Sequence, residues 1–146
     1  MNNIPSSLTG IAGVYFVALE LTLNGYIALH TVRNTAGYDL LVSNPKKCKH
    51  VFIQVKTSSK KVGAWLLGSN AVPPYMRGRN SYYVFVRDNG ENQFESFVVS
   101  GNEVYRSNKN HMRRAEYRKT NTWNAWHLPK GREGKYRNNW KKLGLG

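Results

Sequence analysis

Acidic side chains are scarce in this chain: 8 aspartates and glutamates stand against 22 lysines and arginines in 146 residues, a formal charge of +14. An imbalance of that size favours a polyanionic partner, and nucleic acid fits better than a lipid surface because neither end reads as a basic amphipathic helix. Cysteine is nearly missing. Cys48 alone excludes an internal disulfide, fits a reducing, cytoplasmic setting, and reads as an incidental loop residue rather than a nucleophile. No apolar run approaches the 18–20 residues of a membrane span, and the opening MNNIPSSLTG lacks the basic and long apolar regions of a signal peptide. The four histidines, His30, His50, His111 and His127, show no zinc-ligand spacing, and Ser58 and Ser59 lack the context of a hydrolase nucleophile. Repeats and low-complexity stretches are absent.

What is present describes one folded domain over residues 1–146, with a core at about 6–100 and a basic, aromatic C-terminal region at 101–146. Residues 1–100 carry 10 basic and 5 acidic side chains, and residues 101–146 carry 12 and 3. The first helix is expected over 6–25, capped by Ser6 or Ser7 and stopped at Asn24-Gly25. Leu8, Ile11, Val14, Tyr15, Ala18 and Leu21 follow a helical period and read as its inward stripe. Strands follow at 26–33, 38–42, 51–57, 82–86 and 93–99, with a turn signal at Asp88-Asn-Gly90. Residues 58–80 read as a long binding loop. A second helix over 101–118 begins with a capping box, Ser100 and Glu103, and is open to interruption at 107–110. The fold class is α/β, a mixed sheet flanked by helices.

The chemistry concentrates at GYDLLV and FIQVKTSS. Gln54 and Lys56 share one strand face while Ile53 and Val55 take the other. If the two strands form a hairpin turning near Lys47, Asp39 lies opposite residue 55 and beside both polar side chains. An aspartate carboxylate, an amide oxygen and the Val55 carbonyl are hard oxygen donors suited to Mg²⁺ or Mn²⁺, and Lys56 is suited to charge developing on a phosphate. An Asp39–Lys56 salt bridge is the plain alternative. The tryptophans of the C-terminal region read mostly as core, and its cations as phosphate contacts, joined by Arg33, Lys60, Lys61, Arg77, Arg79, Arg113 and Arg114.

At these residues the chain resembles the PD-(D/E)XK nuclease superfamily, in the D…QxK variant of Mrr-like restriction endonucleases. The run from Gly10 through Gly13 and Tyr15 to Gly25-Tyr26 resembles that family's first helix, so the likeness spans roughly residues 8–60. It implies a restriction-endonuclease-like core of the αβββαβ type, DNA as substrate, Asp39 and Gln54 as metal ligands and Lys56 as the catalytic lysine. Two positions depart from the pattern. Val14 stands where active members often carry a glutamate, and Gln54 replaces the common acid. Glu20 is a possible additional acid, but six residues on it lies about 120° round the helix from Val14. The expectation is a metal-dependent DNA endonuclease, with a homodimer possible. The alternatives are a nucleic-acid-binding protein that kept the fold without turnover, and a protein whose charge binds an acidic protein partner.

Overall fold

The computed structural model describes residues 4–32, 37–59 and 63–146. Helix α1 (Ser6–Leu23) leads into β1 (Ile27–His30), β2 (Leu40–Asn44) and β3 (Lys49–Ser58). A short strand β4 (Ala64–Leu66) and a 3-10 turn (Pro74–Arg77) come next, then β5 (Ser81–Asp88), β6 (Phe94–Ser100) and α2 (Gly101–Tyr117). Strand β7 (Ala125–His127) and two 3-10 turns complete the chain. Five strands form one sheet in the order β1-β2-β3-β5-β6, with β3 and β5 parallel and the other neighbours antiparallel. The mixed sheet flanked by helices is the architecture expected.

The sheet buries both faces where helices and loops cover it. Val51, Ile53 and Val55 alternate with Phe52, Gln54 and Lys56 along β3. The valine and isoleucine face joins Leu40, Val42, Val84, Val86 and Val98 beneath α1. The opposite face of β5 and β6 buries Tyr83, Phe85, Phe97 and Val99 against Trp65, Trp126 and Val104. The Phe85 and Trp126 rings stack at 4.4 Å with planes 6° apart, an arrangement worth about 1 kcal/mol beyond area burial. Trp126 and Trp140 of the C-terminal region are buried, as expected, whereas Trp123 is 79% exposed; Trp65, read as part of the loop, is buried too.

Several local readings need correction. Helix α1 begins without a serine cap: Leu8 and Thr9 donate their N–H groups to the Pro5 carbonyl. Its C-terminal stop is as expected. Gly25 adopts φ +83 and donates to Thr22 while Tyr26 donates to Leu21, the paired bonds of a Schellman motif. The inward face is Thr9, Gly13, Val17, Ala18 and Leu21, so Leu8, Ile11 and Tyr15 point to solvent instead. Gly13 sets that rotation. A Cβ there would collide with the Thr57 side chain, so the bare backbone lets α1 lie directly on β3. Over its 18 residues α1 reaches a mean hydropathy of 1.4 and is long and apolar enough to cross a membrane by those measures, which a search for unbroken apolar runs misses.

The segment 58–80 is not all loop, because β4 pairs with β7 through Trp65 and Trp126. No α-helix bridges β3 to β5 among the described residues; β4 and the 3-10 turn fill that crossover, so the αβββαβ order does not hold. Helix α2 runs without interruption through 107–110, because Asn108 is buried and bonds Asn124 and the Ala125 N–H. Its capping box forms in part, with the Ser100 hydroxyl accepting from the Glu103 N–H at 3.3 Å.

Candidate nuclease-like active site

The hairpin of β2 and β3 turns through residues 45–48, with Asn44 opposite Lys49 and Leu40 opposite Ile53. The ladder ends at Leu40 opposite Ile53, and Asp39, just outside it, donates its N–H to the Ile53 carbonyl, so its backbone lies beside residue 53 rather than opposite residue 55 as expected. The tighter turn is the cause. Asn44 accepts the Lys46 N–H in its side chain, and Cys48 takes φ +49, which closes the loop in four residues.

Asp39 immediately precedes β2, where the neighbouring β3 runs on past the start of that strand. Its N–H donates to the Ile53 carbonyl at 2.8 Å and its carbonyl accepts from the Thr31 N–H at 3.1 Å, so β1 and β3 clamp its backbone. Its carboxylate then reaches past the end of β2. Oδ2 accepts from Gln54 Nε2 at 2.8 Å and from the Val55 N–H at 2.7 Å. Both bonds converge on one oxygen and leave Oδ1 outside them. Since the N–H and C=O of one strand residue point to the same side, the Val55 carbonyl faces the same gap beside Asp39. Asp39, Gln54 and Val55 are therefore brought together.

Lys56 shares the Gln54 face and forms no ion pair with Asp39 among the described residues. The plain salt-bridge alternative is not what the geometry shows. Burial pushes the Asp39 carboxyl above its ordinary value, opposed by the Val55 N–H, the Lys56 charge, the Gln54 bond and His30.

Asp39 and Val55 line a cleft of about 580 Å³ whose other wall is the first half of α1, including Gly10, Ile11, Val14 and Tyr15. Val14 thus faces the gap where the family resemblance puts a glutamate. Glu20 does not line this cleft; its backbone carbonyl accepts from Asn24 at the helix end. His30 and Thr31 also line it, and the His30 ring lies 5.2 Å from that of Tyr15. Sequence reading passed over His30 as a cleft residue, because its position depends on β1 ending beside Asp39.

The donors present suit a hard divalent cation: one carboxylate, one amide oxygen and one backbone carbonyl. A single carboxylate holds such an ion weakly until a phosphate adds charge.

The basic residues fall into distinct groups. Arg33, Lys60 and Lys61 lie outside the described residues. Arg77 is drawn into the fold, with Nε and one terminal nitrogen donating to the Val72 carbonyl at 3.0 and 2.7 Å and the guanidinium 4.0 Å from the Tyr105 ring centre. Arg79, Arg113 and Arg114 are exposed. Three acids pair four cations: Glu95 with Arg87 and Arg137, Glu103 with Lys135 and Lys142, and Glu133 with Arg137. Arg106, Lys109, Arg113 and Arg114 on α2, with Arg118 and Lys119 beyond it, are exposed and have no carboxylate partner among the described residues.

No family model matches the chain, and no curated protein matches it. Among solved structures it is similar to a bacterial homing endonuclease, I-Ssp6803I, at 18% identity and a TM-score of 0.56, over 97% of this chain and 91% of that one. At that identity the likeness is one of fold, and the chain has a nuclease-like fold.

Proposed function

We propose that this protein is a metal-dependent endonuclease that hydrolyses DNA phosphodiester bonds. One observation carries the reading: an aspartate carboxylate that lines a cleft is held by an amide and a backbone N–H, with the Lys56 charge close enough to act on it. Asp39, the Gln54 amide oxygen and the Val55 carbonyl are the groups that would hold Mg²⁺ or Mn²⁺. When bound, such a cation polarises the phosphate and lowers the pKa of a coordinated water. The Gln54 and Val55 donors fix the orientation of the Asp39 carboxylate. The Lys56 ammonium favours the charge that develops on the phosphoryl oxygens and orients the water that attacks. The unpaired cations of α2 neutralise backbone phosphates. The fold shared with a homing endonuclease supports DNA as the substrate.

The test is incubation with supercoiled and linear DNA in Mg²⁺, Mn²⁺ or EDTA. Nicking is expected with metal only, and Asp39→Ala or Lys56→Ala is expected to lower the rate by about 10² or more while DNA binding persists. Equal cleavage by the variants would overturn the assignment.

One observation favours a second reading, a nucleic-acid-binding protein without turnover. Val14, not an acid, faces Asp39 across the cleft, which leaves one carboxylate for the metal. On that reading DNA binding persists and no metal brings cleavage.

A further inference from the structure

Helix α2 closes a second cavity. Val104 packs α2 on the sheet face opposite α1, and a cavity of about 600 Å³ lies between α2, the end of β7 and the turn that follows. It shares no residue with the Asp39 cleft. Glu103, Arg106, His111 and Arg114 fall within about 140° of the helix circumference, so one face of α2 presents all four. Strand β7 brings His127 to that face, where the His111 and His127 rings lie 4.5 Å apart. His111 Nε2 meets the Thr122 hydroxyl at 2.9 Å, which fixes its ring. Arg132 adds a third guanidinium from the turn. These charges do not cancel. Glu103 is the one carboxylate on the wall among the described residues, and it is already used: Oε1 accepts from Lys135 and from the Tyr136 hydroxyl, and Oε2 pairs with Lys142. Arg106, Arg114 and Arg132 have no carboxylate partner among the described residues.

We propose that Arg106, Arg114 and Arg132, with the imidazoles of His111 and His127, form a phosphate-binding pocket separate from the Asp39 cleft, whose grip strengthens as the histidines take up protons. Guanidinium forks match the oxygens of a phosphate, which selects this anion. A metal cation is a poor occupant. No group of three or more metal-ligating side chains exists among the described residues, and the arginines would repel the ion. Partial burial, and then the neighbouring His111, hold the His127 imidazolium below its ordinary value. A bound phosphate opposes both effects with negative charge, so binding takes up a proton. The charged groups that face His127 are Glu103, Arg106, His111 and Arg114 on α2 and Arg132 in the turn, with Lys135 and Lys142 behind Glu103. Cations outnumber the single acid, so the compensating charge has to come from a ligand. A backbone phosphate of nucleic acid and a free phosphate compound share this chemistry. The inference rests on α2 as an element that contacts phosphate, as in the reading above, and does not depend on cleavage.

The experiment is an NMR titration of the histidine rings in the full chain, without metal and at constant ionic strength. It is run in chloride, in inorganic phosphate, and with a short DNA duplex that lacks terminal phosphates. The His127 signal is identified by its loss in His127→Gln. Phosphate or the duplex is expected to raise the His127 midpoint by about half a pH unit or more over chloride. A response to the duplex names backbone phosphate as a ligand, and a response to inorganic phosphate alone names a small phosphate compound. Arg114→Gln together with Arg132→Gln is expected to remove the response, with an unchanged circular dichroism spectrum. A His127 midpoint that neither ligand moves overturns the proposal. So does a response that survives the double substitution, because the anion then acts from elsewhere. The titration involves no turnover, so the two readings fail separately. DNA that is never cleaved while His127 responds removes the nuclease and leaves the pocket; metal-dependent cleavage with a silent His127 does the reverse.

Discussion

At the scale of single residues, Asp39 works against its own environment. Burial pushes its carboxyl up, so the folded protein holds that proton more tightly than the unfolded chain does. The sign follows: ionising Asp39 costs folding stability, the cost is absent at low pH and is fully present once the pH passes the raised folded value. Asp39→Asn keeps an acceptor for the Val55 N–H and removes the charge. It is expected to raise Tm above wild type at pH 7 while abolishing cleavage, a trade typical of functional sites. A calorimetric scan of both proteins checks it. In the metal-free protein Asp39 is expected to titrate above the usual carboxylate value of about 3.9, read by an NMR titration without metal, and a titration at the ordinary value contradicts the burial argument.

At the scale of elements, one contact sets a wall of the cleft and another ties α2 to the C-terminal segment. The first is Gly13 on Thr57, which brings α1 onto β3 and sets α1 as one wall of the cleft. Gly13→Ala has nowhere to place its methyl group without moving the helix. It is expected to cost about 1–3 kcal/mol, as overpacking does, seen as a lower urea midpoint at unchanged m. The second is the Glu103 network, which ties α2 to the C-terminal segment. Glu103 accepts from Lys135 and from the Tyr136 hydroxyl, both at 2.8 Å. Partial burial alone pushes the Glu103 carboxyl up, but these bonds and the lysine charges win and hold it below its ordinary value. Its stabilisation is therefore present above the unfolded pKa of about 4.3 and is lost as the pH falls through the lower folded value. Glu103→Gln is expected to cost about 1 kcal/mol at pH 7 and to flatten the loss of Tm between pH 5 and 3, read by thermal melts across that range.

At the scale of the whole molecule, charge and shape divide the surface. The few acids collect four cations of the C-terminal half and leave the outer side of α2 positive. DNA affinity measured between 50 and 300 mM salt is expected to fall with a log–log slope near −5 if about six phosphates are neutralised. A slope near zero would remove the electrostatic basis for DNA binding. The C-terminal region is also part of the fold: Trp126 and Tyr136 sit in one hydrophobic cluster and Trp140, Leu143 and Leu145 in the other. Lys49 and Asn44 bond carbonyls at 144–146, so the tail closes over the β2–β3 turn.

What could be read directly from the residues is what depends on local pattern. Alternation along 51–56 placed Gln54 and Lys56 on one face and Val55 on the other, because strand side chains alternate whatever lies around them. The Gly25 stop and the strand-rich middle followed from the same local rules. Tertiary structure decided what depends on contact. Which side of an all-apolar helix turns inward is invisible to periodicity, and Gly13 resolved it by fitting Thr57. The pairing of Trp65 with Trp126 joins segments some 60 residues apart, beyond the reach of any window. The partner of Asp39 rested on one residue of turn geometry, because a hairpin's register is set by its loop. The sequence named Asp39, Gln54 and Lys56; only the folded sheet brought the carboxylate to the amide and the Val55 N–H and set Val14 in the same cleft.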